Sequence, residues 1–150
     1  SSDVCSSDLA PLLAKVGAFL PSEAELGALV PGARPGEALA RLAERCGGAV
    51  AVKLGPKGSL VWDRSKREPV SVPALPVVAV DPTGAGDAWC GGFLAGLVET
   101  GDPVVAACFG TVAAARIVGS FGADGALPVD QVKCRAALDG LIERTLKRGL

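Results

Sequence analysis

Two aspartates, a threonine and two glycines are crowded into seven consecutive residues, Asp81-Pro82-Thr83-Gly84-Ala85-Gly86-Asp87. An apolar, strand-like run at 77–80 precedes them, and a small-residue helical run at 88–98 follows. Strand, glycine turn and helix in that order gather free backbone N–H groups at a positive helix end, where phosphate binds well. Asp87 would repel a resting phosphate there. Facing a hydroxyl instead, it could take the proton at the moment of transfer. The same residues also fit an ordinary strand-to-helix connection with a capping aspartate.

The stretch from Asp81 to Asp87, followed by Gly91-Gly92-Phe93, resembles the D-[TP]-T-G-A-G-D signature of the ribokinase/PfkB family of carbohydrate and nucleoside kinases, matching all seven residues without a gap. The resemblance implies a ribokinase-like three-layer α/β/α fold with a mainly parallel sheet, of which this chain would be the C-terminal nucleotide-binding portion. It implies ATP and Mg²⁺ as cofactors and a small sugar or nucleoside as acceptor. Asp87 would be the base, and Gly84, Ala85 and Gly86 the anion hole for the transferring phosphoryl group. Asp81 and Thr83 would shape the loop beside the nucleotide and help hold a monovalent cation such as K⁺. Dimerisation in the family usually runs through a lid, which would belong to the missing half together with most acceptor contacts. A nucleotide-binding module without catalysis, or a structural fragment, is the competing reading.

Further motifs join this one on either side. Ser22-Glu23-Ala24-Glu25 has the S-x-x-E spacing of a capping box, with Ser22 as N-cap. By resemblance it stands where the family places N-x-x-E, which would put Glu25 near Mg²⁺ through water, with Ser22 replacing the Asn. Gly55-Pro56-Lys57-Gly58 follows an apolar run at 49–54. It fails as a P-loop, which needs four residues between its first glycine and a Gly-Lys pair. It is similar to the family's G-x-x-G turn, implying that Gly55 and Gly58 lie beside the nucleotide; a plain β-turn explains both glycines too. The Gly122-Ala123 pair resembles the segment that borders the adenine in relatives.

The elements that must position these residues follow from periodicity. Apolar spacing predicts helices over 10–20, 36–46, 104–118 and 130–150, the third opened by Asp102 as N-cap and Pro103 in the first turn. The run at 49–54 is short enough for a buried parallel strand, and 60–62 and 70–72 flank a polar turn as a hairpin. Residues 1–9 repeat Ser-Ser-Asp and are set apart as a biased or non-native tail, leaving 10–150 as part of one kinase domain.

Composition narrows the classes further. The 15 basic and 16 acidic residues are interspersed for a net charge of −1, which disfavours nucleic acid and anionic membranes as partners. With no histidine, a Ser/His/Asp triad and a Cys/His zinc site are excluded, and five scattered cysteines argue for reduced thiols in the cytoplasm. The most apolar stretch, 104–115, is followed by Arg116 and is too short to cross a bilayer, which takes roughly 20 apolar residues.

Overall fold

The computed structural model describes residues 10–121 and 127–148. Four strands form one sheet in the order β1 (Ala18–Phe19), β2 (Ala49–Lys53), β3 (Ser59–Asp63) and β4 (Glu68–Val72). β1 runs parallel to β2, whereas β2–β3 and β3–β4 are antiparallel, so the sheet in this portion is mixed. Short helices α1 (Ala10–Leu13), α2 (Glu23–Leu29) and α3 (Pro35–Ala43) come from the first third of the chain. The long helices α4 (Ala85–Thr100), α5 (Pro103–Val118) and α6 (Gln131–Arg148) come from the last half.

The layering can be read from β2 alone. Alternate residues of a strand face opposite sides of the sheet, and Ala49 and Ala51 join one apolar cluster while Val50 and Val52 join another. The first cluster holds Trp89 and Phe93 of α4, Ala107 and Cys108 of α5 and Leu138 and Leu141 of α6. The second holds Leu26 of α2 with Leu39 and Leu42 of α3. A strand apolar on both faces thus sits between two helical layers, as a buried strand in an α/β/α sandwich must.

Helices α4 and α5 approach closely because glycines line their contact. A Cβ on Gly92 would stand 2.8 Å from the Phe109 carbonyl oxygen, and one on Gly110 would stand 2.7 Å from that of Trp89. Trp89 and Phe93 stack at a centroid separation of 5.2 Å beside this seam.

Four expectations change. The helical spacing at 10–20 resolves into α1, which stops at Leu13, and β1, because the Ala49 N–H donates to Gly17 O (3.0 Å) and draws 18–19 into the sheet. Residues 77–80 form no strand: Pro73 and Pro76 lack donors, and Val77, Val78 and Val80 are exposed. Helix α4 begins at Ala85 rather than Ala88, because Gly84 takes a left-handed φ of 80° at its N-cap and lets the turn close three residues early. Residues 55–57 form one turn of 3₁₀ helix rather than a simple β-turn.

Candidate active site

The signature lies across a loop and the first turn of α4. The Asp81 carboxylate accepts the Thr83 N–H at 2.9 Å, a local turn that presents the two residues beside Gly84. The Ala85 N–H donates to Pro82 O (3.1 Å) and the Ala88 N–H to Gly84 O (2.9 Å). The N–H groups of Gly84, Gly86 and Asp87 have no acceptor among the described residues. They stand at the positive end of a 16-residue helix. Asp87 is exposed in that first turn.

Gly86 carries a separate signal. Its φ is not left-handed, and a Cβ placed there would meet no atom within 4 Å. Neither strain nor packing within the chain calls for glycine, yet glycine inside a helix costs about 1 kcal/mol relative to alanine. Open space beside bare backbone with free donors is what a closely approaching anion requires.

Opposite this helix end lies the turn after β2. Gly58 has φ 93°, and a Cβ there would run into Val72 O and stand 2.7 Å from Ala74 N, so both conformation and packing demand glycine. Gly55 has φ 59° with open space around it. Gly55 and Gly58 from this turn and Ala85 and Gly86 from α4 line one cavity of about 470 Å³. Its walls are otherwise largely apolar, with Leu75, Trp89 and Val118 among them. Asp81, Thr83, Gly84, Asp87 and Glu25 are not part of its lining.

Lys53, the only charged residue of that lining among the described residues, was not singled out by the sequence. The signal for it is a lone cation ending the apolar run of β2, two residues before Gly55. Its backbone N–H donates to Pro21 O (2.9 Å), docking the start of α2 against the end of β2.

That docking sets Glu25 near Lys53. The capping box is complete: the Ser22 N–H and hydroxyl donate to Glu25 Oε2 at 2.7 and 2.9 Å, and the Glu25 N–H donates to Ser22 Oγ at 3.3 Å. The Ser22 N–H, its hydroxyl and the nearby Lys53 charge hold the Glu25 carboxyl below its ordinary value. Both bonds fall on Oε2, so Oε1 is left to solvent; an exposed hard oxygen of this kind fits Mg²⁺ through water rather than direct chelation. Among the described residues, no group of three or more Cys, Asp or Glu is arranged to hold a metal directly. Gly122 and Ala123 lie outside the described residues.

The model of the pfkB family of carbohydrate kinases matches residues 2–130. The chain belongs to the pfkB carbohydrate kinase family. It is 40% identical over 89 residues to the cytidine kinase of Thermococcus kodakarensis, covering 59% of this chain and 32% of that protein. It is 36% identical to the ribokinase of Bacillus subtilis over 72% of this chain and 35% of the relative. The ribokinase of Arabidopsis thaliana, solved with ribose and ATP, superposes with a TM-score of 0.73 at 28% identity over 86% of this chain and 43% of that one. The chain thus spans less than half the length of each relative. Its fold is ribokinase-like, and among the described residues no helix is long and apolar enough to cross a membrane.

Proposed function

We propose that the protein carrying this chain transfers the γ-phosphoryl group of ATP to a hydroxyl of a small sugar or nucleoside. The observation that carries the reading is the bare helix end: the unbonded N–H groups of Gly84, Gly86 and Asp87 around a Gly86 that no internal packing explains. Phosphoryl transfer needs mainly alignment and charge neutralisation. In this reading the N–H groups of Gly84 and Gly86 hold the transferring group at the dipole end of α4. The Ala85 N–H, tied to Pro82 O, braces the turn, and Gly84 and Gly86 offer the free donors. Asp87, exposed in the same first turn, accepts the proton of the acceptor hydroxyl.

The cavity between α4 and the turn at 55–58 suits the nucleotide, with Gly55 and Gly58 letting the backbone approach and apolar walls for the base. Mg²⁺, when bound, neutralises charge on the nucleotide phosphates; Glu25 Oε1 would orient one of its waters. Asp81 and Thr83 fit the same scheme as supports of the loop, and they are the residues that would help hold K⁺ as an accessory ion when it binds. Matched relatives that include a cytidine kinase, a ribokinase and a fructokinase support a small sugar or nucleoside as acceptor.

The test is ADP release from Mg-ATP by the protein carrying this chain, against a panel of sugars and nucleosides with and without K⁺. Release dependent on one acceptor supports the proposal and names the substrate. Silence with every acceptor, alongside a melting temperature that ATP raises, would make the protein a nucleotide-binding module instead.

A further inference from the structure

We propose that Cys90 and Lys53 form a covalent modification site: in the presence of a peroxide, the two side chains join through a sulfur–nitrogen bond. The Lys53 Nζ lies 3.2 Å from the Cys90 Sγ, although the residues are 37 apart in sequence. Both are half-buried, Lys53 at the end of β2 and Cys90 one turn beyond Asp87 on α4. Lys53 has no carboxylate within ion-pair distance among the described residues, so the sulfur is the polar partner that its ammonium has found.

The chemistry balances in two steps. The Cys90 sulfur attacks one oxygen of hydrogen peroxide; the S–O bond forms, the O–O bond breaks, and the thiol proton leaves with the departing hydroxide as water. Sulfur is oxidised by two electrons and the peroxide is reduced, leaving a sulfenic acid. The Lys53 nitrogen, having released a proton, then attacks that sulfur. The N–S bond forms, the S–O bond breaks, and the hydroxyl leaves with a second nitrogen proton as water. Sulfenic acids condense in this way with a backbone nitrogen, to a sulfenamide, as well as with thiols, and the free amine of Lys53 is the more nucleophilic nitrogen. The four-carbon lysine stem supplies the slack to close from contact to bond.

The other described cysteines lack this arrangement. Cys46 is buried. Cys108 is buried too, donates to Val104 O at 3.5 Å, and its thiol is pushed up to about 11 chiefly by that burial, which leaves little thiolate to react. Cys134 is half-buried on α6 with no side-chain contact to a cation among the described residues. The bond would matter because Lys53 lines the cavity with Gly55 and Gly58, while α4 supplies Ala85, Gly86 and Trp89. It would tie those two walls together.

The experiment is peptide mapping by mass spectrometry after brief treatment of the protein carrying this chain with hydrogen peroxide. The expected result is a peptide pair joined at residues 53 and 90, released by a thiol reductant and lost in Cys90→Ser. In Lys53→Gln the cross-link disappears and a dimedone adduct, which marks sulfenic acid, rises at Cys90. Cys90 oxidised without cross-linking in the unaltered protein would overturn the proposal, as would oxidation falling on Cys134 while Cys90 stays intact. The decisive readout comes from the unaltered chain, so a variant that fails to fold leaves the proposal testable.

Discussion

Neighbouring glycines on α4 should respond to the same substitution with opposite signs. Gly91 is exposed, and a Cβ there would meet nothing within 4 Å. Gly92 faces α5, where a Cβ would stand 2.8 Å from Phe109 O, 2.9 Å from Ala113 Cβ and 3.0 Å from Gly110 Cα. Alanine gains about 1 kcal/mol over glycine in a helix interior, and that gain applies at both positions. At Gly92 all three obstructing atoms are backbone or Cβ, which no side-chain rotation can move, so α4 and α5 must separate. Overpacking of this kind costs about 1–3 kcal/mol, and the rigid obstruction places it in the upper half of that range. Gly91→Ala should therefore stabilise by up to about 1 kcal/mol and Gly92→Ala destabilise by about 1–2 kcal/mol net of propensity. At no more than about 2–4 °C per kcal/mol, the value for roughly 150–250 residues, the melting temperature should rise by up to about 4 °C for Gly91→Ala and fall by up to about 8 °C for Gly92→Ala. Thermal unfolding followed by circular dichroism checks both. Equal stabilisation by the two variants would refute the close α4–α5 seam.

Three further outcomes follow from the caps and the buried thiol. Asp102 accepts the N–H groups of Val104 (2.8 Å) and Val105 (3.3 Å) at the start of α5, so Asp102→Ala should cost about 1 kcal/mol in chemical denaturation. Glu25 is held below its ordinary carboxyl value, so its contribution is present above pH of about 4.3 and is lost as pH falls through the folded value; Ser22→Ala should flatten that acid limb of a stability-against-pH curve. The Cys108 thiol is pushed up to about 11, so the unfolded chain loses this proton first and stability should decline as pH rises from about 8.5; Cys108→Ala should remove the slope.

Local chemistry was legible where one short pattern decided the structure. Ser22 with Glu25 spelled a capping box that the structure completes atom by atom, and Asp102-Pro103 marked the start of α5 to the residue. The polar turn between β3 and β4 was equally plain. Patterns that two structures satisfy were less so. Leu12, Leu13, Val16, Phe19 and Leu20 fit one helix or a helix turn followed by a strand, and pairing of β1 with β2 decides between them. The valines at 77–80 have a strand's composition, but a strand needs a neighbouring strand, and the backbone bond formed here runs instead to a helix end, from Val80 N–H to Val118 O at 2.8 Å.

Within the candidate site, the glycines and aspartates of residues 81–87 stood out because their types are costly or charged. Lys53 did not, because its meaning depends on what folds over it: α2 docks at its backbone and Cys90 reaches its side chain from another layer. The seven-residue signature thus located the helix end, whereas the cavity opposite it emerged only from the packing of β2 and its turn against α4.

The base proposed at that helix end is Asp87. Its most direct test measures turnover and ATP affinity side by side for Asp87→Asn in the protein carrying this chain, with the acceptor identified by ADP release. The account predicts turnover reduced on the order of 10²–10⁴-fold, the contribution of a positioned general base, with ATP affinity nearly unchanged. An affinity loss as large as the rate loss, or turnover that survives the substitution, would contradict it.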